Sequence, residues 1–170
     1  MCEQRVVGIS DRSVSAAPDE IVTFALGSCV GVALYDEAAR IGGLAHIMLP
    51  DSSLRVSHGS RKPALSAADR MKFADTGVED MVAEMSSRGA SVGRMKAKIA
   101  GGANMFGISD SSALGSIGGR NVHSVRAALG RLGIPIVAED VGSDFGRTMF
   151  LDLATGKVRV KSFVREVNEI

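Results

Sequence analysis

Two cysteines and three histidines are all that this 170-residue chain offers for thiol and imidazole chemistry, and only one of each stands where a fold can aim it. Cys29 follows Gly27-Ser28, a point where a strand must bend or bulge and can present a side chain at a sheet rim. His46 lies in the apolar run 41–49 that ends at Pro50, and the polar connection 36–40 makes that run the antiparallel partner of 30–35. If the connection is 36–39, Cys29 sits directly opposite His46, and a slip of two residues makes them diagonal neighbours on the same face. A slip of one residue puts them on opposite faces, because side chains alternate along a strand. On a shared face a neutral imidazole can take the thiol proton and hold the thiolate as an ion pair, giving a sulfur able to attack an amide or ester at neutral pH. Both residue types are also ordinary occupants of a core, since cysteine is among the most buried residues and a strand histidine is commonly structural. Composition and spacing leave both readings open. His58 and His123 have no carboxylate or cysteine at metal-ligand spacing, so no zinc site, other metal centre or cofactor is expected.

Around this pair the chain reads as short strands and two amphipathic helices. Strands are predicted at 3–9, 20–26, 30–35, 41–49, 94–100, 134–139 and 147–153, with 157–161 closing a hairpin that has one wet and one dry face. Residues 10–19, with Ser, Ala and Pro, predict a loop, and 51–66, without a sustained period, predict a flexible flap. Val78, Met81, Val82 and Met85 fall at i, i+3, i+4 and i+7, a helix whose apolar stripe faces a sheet; Thr76 with Glu79 forms a capping-box pattern, and Gly89 stops it. A second helix carries Val122, Val125, Leu129 and Leu132 on one face, with Asn121 as its cap and Gly133 and Pro135 at its end. The glycine-rich stretch 101–107 has no Lys-Ser/Thr after it and is not a P-loop. The expected fold is α/β: a single-domain α/β sandwich of mixed or largely antiparallel sheet with amphipathic helices packed against it, residues 1–170 forming one domain.

Composition removes several function classes. Twenty Lys and Arg against 19 Asp and Glu give a net charge of +1, without the basic excess that phosphate backbones require, so no nucleic acid is expected as a partner. Six Phe, one Tyr and no Trp leave no stacking platform for single strands. Two Cys cannot build a secreted disulfide framework, and the opening Met1-Cys2-Glu3-Gln4-Arg5 does not resemble a secretory signal, which predicts a cytoplasmic protein. The uncharged stretch 21–35 is 15 residues long and is broken by Gly27, Ser28 and Gly31, short of the roughly 20 that a spanning helix needs, so no membrane insertion is expected.

The run Phe24-Ala25-Leu26-Gly27-Ser28-Cys29-Val30-Gly31-Val32-Ala33-Leu34-Tyr35-Asp36, followed by Gly42-Gly43-Leu44-Ala45-His46-Ile47-Met48-Leu49-Pro50, strongly resembles the CheD family of chemoreceptor glutamine deamidases. The similarity continues through Gly101-Gly102-Ala103-Asn104-Met105-Phe106, Gly119-Arg120-Asn121-Val122, the segment 134–142 and Gly146-Arg147-Thr148, covering roughly 21–161. Ser143 departs from it, standing where the family's Val-Gly-Gly stretch has Gly.

The resemblance implies a Cys-His-Thr hydrolase on an α/β sandwich, with the motif residues falling on Cys29, His46 and Thr23. Thr23 by itself reads as a common strand residue. Six extended residues at about 3.3 Å each would put Thr23 about 20 Å from Cys29, too far to share one imidazole, so the chain must turn at Gly27-Ser28, with Gly27 permitting the bend. Thr23 is then expected to meet His46 from one side and Cys29 from the other, and backbone N–H groups around Gly27, Ser28 and Cys29 are candidates for an oxyanion hole. The implied reaction converts Gln side chains on the cytoplasmic domains of methyl-accepting chemotaxis receptors to Glu, releasing ammonia through a thioester; a CheC-type phosphatase is the implied second partner. The alternative is a non-catalytic binding module regulating such a phosphatase or the receptor array, with Cys29 idle. A redox role would need a resolving thiol, for which Cys2 is poorly placed. The basic residues Arg55, Arg61 and Lys62 and the row Lys157, Arg159 and Lys161 suit docking on acidic helices, though such rows are more often a solvated face.

Overall fold

The centre of the molecule is the hairpin that the apolar runs predict: β4 (Val30–Asp36) pairs antiparallel with β5 (Ile41–Ile47). Asp36 closes its turn by accepting from the Ala38 and Ala39 N–H groups, while the Arg94 guanidinium, bound through two nitrogens, holds this buried carboxyl down at about 2. The computed structural model describes residues 1–55, 64–105 and 116–170. Half of the predicted flap, 56–63 with His58, Arg61 and Lys62, lies outside the described residues, as do the last two residues, 106 and 107, of the glycine-rich stretch.

Two five-stranded sheets form the sandwich. One has the order β1-β3-β8-β9-β10, from β1 (Gln4–Val7), β3 (Glu20–Leu26), β8 (Arg147–Asp152), β9 (Val158–Lys161) and β10 (Asn168–Glu169). The other has the order β2-β5-β4-β6-β7, adding β2 (Arg12–Ala16), β6 (Lys96–Gly101) and β7 (Ile136–Val141). Each sheet has one parallel pair, β1 with β3 and β6 with β7, and is otherwise antiparallel, so the fold is the mixed α/β sandwich expected. Strand β2 falls inside the predicted loop 10–19. Its alternation of Ser13 and Ser15 with Val14 carries almost no apolar signal, and as an edge strand it buries only one large apolar side chain, Val14, beside the small Ser15.

Helices α2 (Ala74–Ser87) and α3 (Ile117–Arg131) cover the second sheet, preceded by the short α1 (Ala67–Arg70). Between them and the sheet lies one apolar core, with Val30, Val32, Leu34, Ala45 and Ile47 on the sheet side and Val78, Met81, Val82, Met85, Val125 and Leu129 on the helix side. Each Val, Leu, Ile and Met among them contributes about 1.5–3 kcal/mol on leaving water. The two expected caps are corrected. Helix α2 starts at Ala74, so Thr76 lies within it and donates to the Arg70 carbonyl at 2.6 Å, while Asp75 in the first turn takes the Ser52 N–H and hydroxyl. Helix α3 is capped by Ser116, whose Oγ accepts from Gly119 N, and Asn121 is an interior residue with another task.

The second core lies between the sheets and contains Val7, Ile21, Leu26, Ala33, Leu44, Ala100, Met149 and Leu151, with Cys29 and Tyr35 packed at its margin. Gly31 is small because the sheets touch there: a Cβ would stand 2.8 Å from Met149 Sδ and 2.9 Å from Leu26 Cδ1. Strands β3 and β4 belong to different sheets, so the chain crosses the sandwich between Leu26 and Val30. Cys29 rides on that crossing.

Candidate active site

Alternation within the hairpin decides which face His46 occupies. In β5, Leu44 enters the inter-sheet core while Ala45 and Ile47 face the helices; in β4, Ala33 faces the other sheet while Val30, Val32 and Leu34 face the helices. Gly31 is the direct partner of His46. Cys29, two residues before Gly31, is therefore the diagonal neighbour of His46 on the same inter-sheet face, about 7 Å away between backbones. This is the second of the two registers compatible with a working pair.

Thr23 reaches the imidazole from the opposite sheet. Its Oγ1 lies 2.8 Å from His46 Nδ1 and donates to the Val7 carbonyl at 2.9 Å, and both side chains are fully buried. A hydroxyl has one proton, and here it goes to a carbonyl that can only accept; the bond to the ring is thus made with the Nδ1 proton. That fixes the tautomer. Nε2 is left as a bare acceptor, buried and without a hydrogen-bond partner among the described residues, Cys29 included. Burial pushes the imidazole down from 6.5 to about 4 and pushes the half-buried Cys29 thiol up, against a smaller opposing pull from its own backbone N–H. The resting pair is neutral thiol and neutral imidazole rather than the ion pair that proximity alone suggests.

The crossing that carries Cys29 is held along its carbonyls. Gly27 O accepts from Ala103 N at 2.8 Å, Ser28 O from Asn121 Nδ2 at 2.8 Å, and Cys29 O from Gly102 N at 2.8 Å. The bend begins earlier than Gly27. Register shifts between Thr23 and Leu26, and Ala25 takes the left-handed φ of +58° that re-aims the strand. Gly27 is not left-handed; its N–H closes on Ala25 O at 3.0 Å, and its missing side chain admits Met105, whose Cγ would stand 3.2 Å from a Cβ. The Gly27 N–H is thereby removed from the candidate oxyanion donors, whereas those of Ser28 and Cys29 meet no carbonyl among the described residues.

Asn121 is the residue that sequence reasoning missed. It is fully buried, and its Nδ2 also donates to Met48 O at 3.0 Å. The available signal was a polar residue on the apolar stripe of α3, between Gly118 and Val125 at helical spacing. The remaining residues weighed for chemistry stand apart: His123 is exposed on α3 and Cys2 is exposed near the first residue. In the basic row, Arg159 is paired with Glu20 and Lys157 with Glu169 at 2.9 Å, so two of its three charges are spent within the fold.

Comparison with known proteins gives the family. The sequence model of the family described as "CheD chemotactic sensory transduction" matches residues 48–162. A protein of Moorella thermoacetica named "Probable chemoreceptor glutamine deamidase CheD" is 48% identical over 165 residues, covering 96% of this chain and 93% of its own. Proteins of the same name from Clostridium tetani and Clostridium botulinum strain Hall are each 46% identical over 164 residues, covering 96% of this chain and 94% and 96% of theirs. No helix among the described residues is long and apolar enough to cross a membrane. With similarity of this extent over nearly its whole length, the chain belongs to the CheD family.

Proposed function

We propose that the protein is a cytoplasmic protein-glutamine deamidase, one domain spanning 1–170, that converts Gln side chains of chemoreceptor cytoplasmic domains to Glu. The observation that carries this reading is the Thr23–His46 hydrogen bond, which leaves Nε2 unprotonated on the face shared with Cys29. A base held in one tautomer, beside a thiol and unsatisfied in the interior, is costly to keep in a purely structural role.

As the carboxamide enters, the Cys29 proton passes to His46 Nε2 and the sulfur attacks the Gln Cδ, so that the carbonyl electron pair moves onto oxygen. The Ser28 and Cys29 N–H groups receive that oxyanion. The pair returns, the C–N bond breaks, and Nε2–H protonates the departing ammonia, leaving a thioester. Water then gives one proton to Nε2 and its oxygen to the acyl carbon; the sulfur leaves and regains its proton, and the product is a Glu side chain. Thr23 touches no reacting atom. It positions the ring, and through Nδ1 it stabilises the imidazolium formed at each proton transfer. Neutral resting partners suit this sequence, because charge separates only when the substrate's own polar group is present to meet it.

The neighbours' names point to receptors as substrate, and a CheC-type phosphatase competing for the same surface is the second partner in this reading. Incubation with a chemoreceptor cytoplasmic fragment tests it by mass spectrometry. The protein is expected to produce the amide-to-acid mass increase at specific Gln residues, with none from Cys29→Ala. Tight receptor binding with no mass change would instead favour a binding module.

A further inference from the structure

The buried amide of Asn121 joins the two halves of the site. Its Nδ2 has two protons, and both are used: one goes to Ser28 O, directly before the thiol, and the other to Met48 O, two residues beyond the imidazole. Both partners are carbonyls, so the amide's orientation is unambiguous; turned over, Oδ1 would face two oxygens. In the orientation observed, Oδ1 is buried with no partner among the described residues. A buried acceptor left unpaired costs about 1–3 kcal/mol, so what keeps an amide here is its pair of donors.

The backbone is shaped to bring it there. Gly118, one turn before Asn121, lies against the exit of β6: a Cβ on it would stand 2.5 Å from Ala103 O and 2.6 Å from Gly102 O. Gly102 in turn has φ +66°, and a Cβ on it would meet Val122 Cγ2 at 2.2 Å. Those same residues, Gly102 and Ala103, donate to Cys29 O and Gly27 O. Helix α3 is pressed onto the strand exit closely enough for one short side chain to span from the thiol's crossing to the end of the histidine strand.

We infer that Asn121 is a positioning residue that sets the separation of Cys29 from His46, clamping the crossing and the end of β5 through one amide nitrogen. The inference rests on the deamidase reading for its meaning in turnover, but the clamp itself is readable without a receptor. In the structure the sulfur and Nε2 are not hydrogen-bonded, so small displacements of either backbone decide whether a proton can pass, and a misplacement near 1 Å is worth about 100-fold in rate.

The test uses the full chain with Cys2→Ser, so that Cys29 is the one thiol, and measures its alkylation by iodoacetamide at neutral pH. His46→Gln is expected to slow alkylation about 10-fold or more by removing the base. Asn121→Leu is expected to slow it comparably, and the double variant to be no slower than His46→Gln alone, because the clamp acts through that histidine. Multiplying effects, or an Asn121→Leu protein with full His46-dependent reactivity, overturn the inference. Asn121→Asp, of equal size with an acceptor-only carboxylate facing two carbonyls, is carried through the same cycle with the same expectation. In the unaltered protein, nuclear magnetic resonance should find both side-chain NH2 protons of Asn121 protected from exchange; a freely exchanging amide overturns the inference whatever the variants' folding. On a receptor fragment, Asn121→Leu should lose about 100-fold in kcat with KM within about 3-fold. Absence of turnover by the unaltered protein would count against the deamidase reading alone, since the alkylation cycle still reads the clamp.

Discussion

Replacing Thr23 by Val keeps the volume and removes only the hydroxyl, which makes it the most informative change in the site. Two buried hydrogen bonds go at once, to Val7 O at 2.9 Å and to His46 Nδ1 at 2.8 Å, and neither stranded group reaches water. A buried group left unpaired costs about 1–3 kcal/mol, and the imidazole recovers part of its share by moving its proton to Nε2, so the expected loss of stability is about 2–4 kcal/mol. That escape disables the base. The productive tautomer loses a bond worth about 1.4 kcal/mol, a tenfold shift in population, and the ring also loses its orientation, so kcat should fall at least about 10-fold. Thr23→Ser retains the hydroxyl and should recover most of both quantities. Urea denaturation measures the stability, receptor-fragment turnover below the variant's melting range measures kcat, and ¹⁵N resonances of His46 report the tautomer. The reasoning is refuted if Thr23→Val keeps full kcat with Nε2 still unprotonated, or if Thr23→Ser is as damaged as Thr23→Val.

Because His46 is held near 4 when folded and titrates at 6.5 when unfolded, the unfolded chain binds the extra proton between those values. Stability therefore rises with pH across that window, by up to about 3 kcal/mol, and flattens above it; urea midpoints in the His46→Gln protein should lose the slope, and an unaltered slope contradicts the assignment. With Cys2 replaced by Ser, alkylation of Cys29 should show a midpoint above the usual thiol value of about 8.5, as burial demands; a plateau already reached at neutral pH would mean a resting thiolate. Ser143 takes φ +60°, where a Cβ costs about 1 kcal/mol, so Ser143→Gly should raise the melting temperature by about 2 °C in calorimetry once glycine's greater unfolded entropy is subtracted. An equal or lower melting temperature would contradict it.

How much of this was legible in the chain differs from residue to residue. The hairpin was, because two apolar runs flank a polar turn and Asp36 supplies that turn's acceptors. The face of His46 was not: β5 is buried on both sides, so its residues carry no alternation from which to choose a register. Thr23 looked like any strand residue because its partner arrives from another sheet, and nothing local marks a crossing between sheets. The bend was expected at Gly27, since glycine is the usual sign of a turned backbone, yet the left-handed residue is Ala25, held by the β3–β8 bulge. Asn121 followed Gly119-Arg120 and read as a cap because asparagine favours caps; the true start of α3 was set by Ser116, and tertiary contacts put the asparagine to another use. The electrostatics of the pair escaped the sequence for a related reason, since burial, which pushes the thiol up and the imidazole down, is a property of the assembled sandwich.

The central claim is that sulfur, and no other atom of this chain, carries the acyl group. A Gln-bearing receptor peptide mixed with the protein and quenched in acid within a single turnover, then weighed intact, tests it most directly. An adduct equal to the peptide less ammonia, mapped to Cys29 and lost on hydroxylamine treatment, is the predicted result. Conversion of Gln to Glu by the Cys29→Ala protein, or an adduct on any other residue, would contradict the account.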